Sequence, residues 1–220
     1  MHSHYFASAA PGCPELLLPL AVAHGVTGAR DVAAHLDYLL AWRAEIEAGR
    51  VVGPRVFGTG PLIDGMPPVY PGIAVVAPTP DHGRRIVDDL ARRGADFVKA
   101  YEMLRRDTFL AIVEQAKKRG LPVAAHVPLT VLAGEASDAG VRSFEHLRNL
   151  ELACARDAEG LLGERTAALE AGAARLGREL RSELHAAQRA RAADTYDAER
   201  CTALLRKLAA NGTWQTPTVF

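Results

Sequence analysis

The chain has 220 residues, with 26 basic and 26 acidic side chains and no net charge. The length suits one α/β domain with a real core, and the balanced charge gives no footing for nucleic acid or an anionic membrane as partner. Three cysteines, Cys13, Cys154 and Cys201, are scattered and odd in number. They suggest neither a disulfide framework nor a zinc ribbon, so a reducing, cytoplasmic location is expected. Residues 1 to 20 lack a basic stretch ahead of a long apolar run, so no signal peptide is expected, and Leu16 to Val22 is too short to span a bilayer.

Met1-His2-Ser3-His4 opens the sequence. On an extended segment side chains alternate with period two, so His2 and His4 share a face and can share an ion. Taken alone, the pair reads as two solvated histidines. Pro14 to Ala23 predicts a helix and Gly25 to Arg30 a strand. Asp31 is expected to cap the next helix, which carries Leu36, Leu39, Leu40 and Ile46 at helical spacing and ends at Gly49 and Gly53-Pro54. Arg55 to Gly60 reads as another strand. Pro61 to Pro80, which includes Tyr70, reads as a long Pro- and Gly-rich loop, either substrate-binding or a surface Ω-loop.

Asp81 to Arg93 predicts a helix with Ile86, Val87 and Leu90 inward, followed by a strand ending at Lys99. Asp107 is expected to cap a helix carrying Phe109, Ile112, Val113 and Ala116 and stopping at Gly120. A strand to His126, a helix near Val131 to Ala139 and a strand to His146 follow. This alternation argues for a parallel sheet with right-handed crossovers. Residues 150 to 210 are rich in Ala, Arg, Glu and Leu with no strand signal. Leu162, Leu169, Leu176, Leu180 and Leu184 fall on roughly one helical face, which predicts a helical excursion or a dimerisation arm. Asn211-Gly212 is expected to cap the last helix, and Thr213 to Phe220 reads as the next strand.

Lys99, His126 and His146 each close a short apolar run that follows a helix and a glycine (Gly94, Gly120, Gly140). They therefore fall at the C-terminal ends of three successive strands, where catalytic groups collect in a parallel α/β barrel. The imidazoles of His2, His4, His126 and His146 suit a divalent ion that keeps an open position for water. An ammonium cannot ligate, but a buried lysine near cations has a depressed pKa. Its neutral amine can take up carbon dioxide as a carbamate, a two-oxygen anion able to bridge two ions. The competing reading is two core histidines; their matching strand-end positions, with Lys99 at a third, favour ligands. His24, His35, His82 and His185 receive no role. Lys99 as the Schiff-base lysine of an aldolase-type barrel leaves four histidines unexplained. A catalytically inactive scaffold dimerising through residues 150 to 210 is the remaining reading.

The combination resembles the amidohydrolase superfamily: His-x-His at the end of a first strand, Lys at the end of a fourth, and single histidines ending a fifth and sixth. Gly25–Arg30 counts as the second strand and Arg55–Gly60 as the third. Finer features are similar to the imidazolonepropionase-like and Xaa-Pro dipeptidase-like branch: Gly25-Val-Thr-x-x-Arg30-Asp31, Gly53-Pro-Arg-Val, Gly94-Ala-Asp-Phe-Val-Lys99, His126-Val-Pro, Glu145-His146-Leu and Trp214-Gln-x-Pro217-Thr218.

The resemblance implies a TIM barrel and hydrolysis of a C–N bond in a cyclic amide, amide or dipeptide-like substrate by a metal-activated water. It implies one or two divalent ions, zinc foremost, with His2 and His4 on one, His126 and His146 on the other, and carbamylated Lys99 between them. Tyr101, Arg30 and Tyr70 are the implied substrate contacts; Tyr101 shares a strand face with Lys99. The family's eighth strand carries an Asp that binds metal and shuttles a proton, and this chain lacks it. The body of the first strand is missing too, so an incomplete barrel truncated at both ends is expected, with exposed edges that favour self-association.

Overall fold

The structure is a computed structural model that describes residues 2–7, 12–172 and 175–217. Short apolar runs become strands and amphipathic stretches become helices, in the order β1 (His2–Ser3), α1 (Cys13–Ala23), β2 (Gly28–Asp31), α2 (Leu36–Glu47), β3 (Arg55–Gly58), β4 (Leu62–Asp64), β5 (Ala74–Val76), α3 (Pro80–Arg92), β6 (Val98–Ala100), α4 (Arg106–Lys118), β7 (Val123–Ala125), α5 (Ala133–Ala139), β8 (Ser143–Glu145), α6 (Leu150–Ala153), α7 (Ala158–Ala171), α8 (Gly177–Asp194), α9 (Ala198–Ala210) and β9 (Trp214–Thr216).

Every strand pairing is parallel. One sheet runs β1-β2-β3 and the other β5-β4-β6-β7-β8-β9. Within each sheet the strands therefore point the same way, and residues at the C-terminal ends of β1, β7 and β8 meet on one rim. The sheets face each other closely enough for side chains of β1 and β2 to meet β8: the Arg30 guanidinium donates to the Glu145 carboxylate at 2.9 Å. The main apolar core lies where β6, β7 and β8 meet α3, α4, α5 and α9, around Val87, Phe109, Ile112, Val123 and Phe144. Burying each of the larger side chains contributes roughly 1.5–3 kcal/mol. Thr79 caps α3 by accepting from the His82 amide, and Asp197 caps α9 by accepting from the Arg200 amide.

Several expectations need correction. Asp31 is not a helix cap. It belongs to β2, is fully buried, and accepts from the Phe6 amide at 3.3 Å, tying the N-terminal segment to that strand. Asp107 lies inside the first turn of α4, with Arg105 at the cap position. The segment from 61 to 80 is not one loop, because it contains β4 and β5. Buried Asp64 organises the turn between them. Its Oδ1 accepts from the amides of Gly65 and Met103, and its Oδ2 from that of Val69, at 2.8–2.9 Å. The leucines of 162–184 do not share one face: the helix breaks after Ala171, Leu180 is buried and Leu176 is 57% exposed. The expected last strand covers Trp214–Thr216; residues 218–220 of that expectation lie outside the described residues.

The cysteine reading is also overturned in part. Cys154, at the end of α6, is disulfide-bonded to Cys201 in α9, 47 residues away. The argument from unpaired cysteines to a reducing compartment therefore no longer stands. Among the described residues no helix is long and apolar enough to cross a membrane.

Candidate metal centre

The rim holds a cavity of about 580 Å³ lined by His2, His4, Lys99, His126 and His146, the five predicted ligands, together with Tyr70 and Tyr101. The elements explain the convergence. His2 lies on β1, His4 just beyond it and Lys99 on β6, while His126 and His146 each follow the last residue of their strand. Parallel pairing brings these ends to one level. After β8 the backbone turns through left-handed conformations at His146 (φ 61°) and Leu147 (φ 54°). Such conformations are unfavourable for residues with a Cβ.

The four imidazoles form a continuous series. Ring centroids are 4.9 Å apart for His4 and His2, 4.5 Å for His2 and His146, and 4.9 Å for His146 and His126. Two of the rings are oriented from behind by carboxylates. Glu145 Oε2 is 2.6 Å from His2 Nδ1, and Glu102 Oε1 is 2.8 Å from His126 Nδ1. A carboxylate on Nδ1 fixes the N–H there and leaves Nε2 as the lone-pair donor, the usual support of a metal-binding histidine.

For three of the imidazoles burial is the largest influence. It takes His4 and His146 down to about 4, helped by His2 and Lys99, and holds His126 well below its usual value. All three are neutral at pH 7, the state that ligates. Burial also lowers the Lys99 amine to about 7, against the pull of Glu145. The two carboxyls go the other way. Burial alone raises them, but hydrogen bonds from His126 and His185 to Glu102, and from His2 with the charges of Lys99 and Arg30 on Glu145, hold both well below the carboxylate range.

Two observations test whether a divalent ion fits. The Nε2 atoms of His2 and His4 face each other at 3.1 Å, and two imidazoles on one tetrahedral zinc, with bonds of ~2.0–2.1 Å, stand roughly 3.3 Å apart. Lys99 Nζ is buried with no hydrogen-bond partner among the described residues, a costly state for an amine that a carbamate bound to metal would relieve. Against this, among the described residues no three His, Cys, Asp or Glu side chains form a metal-holding group by themselves. Lys99 lines the same cavity as the four histidines.

The expected substrate contacts divide. Tyr101 stacks beside His126 at 4.3 Å, and Tyr70 is 5.9 Å from Tyr101. Arg30 does not line the cavity. It donates to Glu145 Oε1 and to Ser143 Oγ (3.0 Å), and so braces the carboxylate behind His2. Sequence reasoning missed Glu102, Glu145, Arg148, Arg181, His185 and Arg189. Glu145 stood beside His146 in a recognised motif and was legible by proximity. His185 sits on α8, far from any motif, and has no local signal.

No family model matches the sequence, and no curated protein matches it. Solved structures do. A prolidase complexed with N-methylphosphonate-L-proline superposes at TM-score 0.56 and 21% identity, over 97% of this chain and 62% of that one. The bottromycin amidohydrolase gives 0.58 and 22%, over 97% and 56%. A Xaa-Pro dipeptidase with methionine in its active site gives 0.53 and 21%, over 99% and 64%. At these identities the likeness shows a shared α/β fold. The chain spans about three fifths of the length of these structures.

Proposed function

We propose that this chain carries the metal centre of an amidohydrolase-type enzyme that hydrolyses a C–N bond in a small, amide- or dipeptide-like substrate. The observation that carries the proposal is the meeting of four histidines and one unpartnered, buried lysine in a single cavity. On this reading the two parallel sheets are arcs of one barrel, supported by the contact of Arg30 on β2 with Glu145 on β8. His2 and His4 would hold one ion and His126 and His146 the other, with Lys99, as its carbamate, supplying oxygen donors. Imidazole and carboxylate-type oxygen donors suit zinc, and iron, manganese and nickel as well. When bound, such an ion activates water and polarises a carbonyl group.

The chain's own residues do the rest. Glu145 and Glu102 keep His2 and His126 in the ligating tautomer. Lys99, with its amine near neutrality, is poised to accept carbon dioxide. The cavity lining contains Arg148, Arg181 and Arg189 and, among the described residues, no Asp or Glu. That charge favours a substrate bearing an anionic group, such as a free carboxylate. Tyr70 and Tyr101 supply an apolar wall with hydroxyls for orientation. The described lining offers no carboxylate to shuttle a proton, so no residue is assigned that task.

The test is zinc loading in bicarbonate followed by assay on a panel of dipeptides and N-acyl amino acids. Metal-dependent cleavage that disappears in His126→Ala supports the reading. Metal uptake without cleavage favours the catalytically inactive alternative. A second reading rests on the same amine, since a buried lysine lowered to about 7 also suits Schiff-base chemistry. Borohydride trapping of a carbonyl compound on Lys99 distinguishes it, and no adduct rules it out.

A further inference from the structure

The helical excursion is tied to the cavity by buried polar bonds that the site as described above does not use. Glu102 accepts from two histidines at once: from His126 at Oε1, and from His185 Nε2 at Oε2, 2.9 Å away. Glu102 is fully buried, and His126 and His185 are 4% and 6% exposed. His185 lies on α8, 83 residues beyond Glu102. Its other nitrogen, Nδ1, is buried with no partner among the described residues. A histidine buried at that cost, with a single hydrogen bond, is there for that bond.

A second tether acts on the same strand end. Arg165 of α7, 1% exposed, donates to Asn149 Oδ1 at 2.8 Å, and Asn149 Nδ2 donates to the Val127 carbonyl at 2.6 Å. Val127 follows His126 directly. Gln188, one turn beyond His185 on α8, accepts from Arg165 Nε. Helices α7 and α8 thus converge on His126 and Val127, just beyond β7.

We infer that His185 is a positioning residue for the second ion, acting through Glu102 to fix the ring plane and Nδ1–H tautomer of His126. The inference rests on the proposed metal reading for its consequence. An ionised carboxylate held by one imidazole can swing about its Cγ bond; held by two, on opposite oxygens, it cannot. His126 then presents Nε2 to the cavity in one direction only. Arg181 Nη1 also lies 3.6 Å from Glu102 Oε1, the oxygen that faces His126, so loss of the His185 bond leaves Oε2 unheld and loosens, through Glu102, the orientation of the His126 ring.

The experiment compares wild type with His185→Leu, which keeps bulk but has no donor, and His185→Gln, whose amide can donate to Glu102. Zinc affinity at each site is measured by competition with a chromophoric chelator, and the melting temperature of the metal-free chains is recorded. The leucine variant is expected to lose about 10–100-fold in affinity for one ion, the size typical of outer-shell losses, with the other unchanged. The glutamine variant is expected to recover most of that loss. A merely structural histidine would weaken both ions together and would not be rescued by glutamine, which overturns the proposal. Wild-type affinity in folded His185→Leu overturns it as well. Should the leucine variant fail to fold, His185→Asn, too short to reach Glu102, takes its place with the same expectations. A wild-type chain that binds no zinc overturns the metal reading and this inference with it; the other contrary results leave the metal reading intact.

Discussion

The Glu145 carboxylate lies 2.6 Å from Nδ1 of His2, a residue 143 positions earlier in the sequence. Its second oxygen accepts from Arg30 and Ser143. One side chain of β8 therefore anchors the first strand and orients its histidine. In Glu145→Gln the amide nitrogen must face at least one of those donors. We expect a loss of about 1–3 kcal/mol of stability and, on the proposed reading, weaker zinc binding at His2 and His4. Chemical denaturation and zinc competition check both.

On the proposed reading, Lys99 as its carbamate completes the ligand set. Metal uptake should be greater in bicarbonate than in carbon dioxide-free buffer, because only the carbamate supplies the missing oxygen donors. Lys99→Met should bind no more than one ion in either buffer. Elemental analysis after dialysis reads this directly, and equal uptake in both buffers speaks against the carbamate.

Asp64 gives a pH dependence with a definite sign. Burial raises its carboxyl to about 7, against three backbone amide donors. Between its unfolded value near 3.8 and about 7, the folded chain holds a proton that the unfolded chain has released. Stability from this group is full below pH 4 and falls as the pH rises to 7, with a slope approaching about 1.4 kcal/mol per pH unit. In Asp64→Asn that component should vanish, so the difference between wild type and variant shrinks as the pH rises. Urea denaturation at pH 4, 5, 6 and 7 checks it.

How much of this was legible in the sequence follows from range. His126 and His146 directly follow short apolar strands, a local signal, while Lys99, expected to end its strand, is the middle residue of β6. Helix α4, with Phe109, Ile112 and Ala116 at helical spacing, was legible for the same reason. Strands β4 and β5 were not, because three residues such as Leu62-Ile63-Asp64 carry no readable alternation, and the fold relies on Asp64 bonding to distant Met103. The contacts Glu102–His185 and Cys154–Cys201 join elements 83 and 47 residues apart. No local pattern encodes such pairs; only the packing of the excursion against the strand ends creates them.

The disulfide between Cys154 and Cys201 closes a loop around α7 and α8, the helices that carry Arg165 and His185. Reduction should cost about 2–4 kcal/mol of stability. The measurement is thermal melting with and without reductant, with Cys201→Ser expected to match the reduced wild type. Identical melting would mean that the helices are held by their polar tethers and apolar packing alone.

The most direct test of the central claim is the metal content of the purified chain, loaded with zinc in bicarbonate and dialysed, beside His126→Ala and His146→Ala. About one to two ions are expected per wild-type chain, with the loss of one ion in each variant. A folded wild-type chain without metal, or variants that bind as well as wild type, would contradict it.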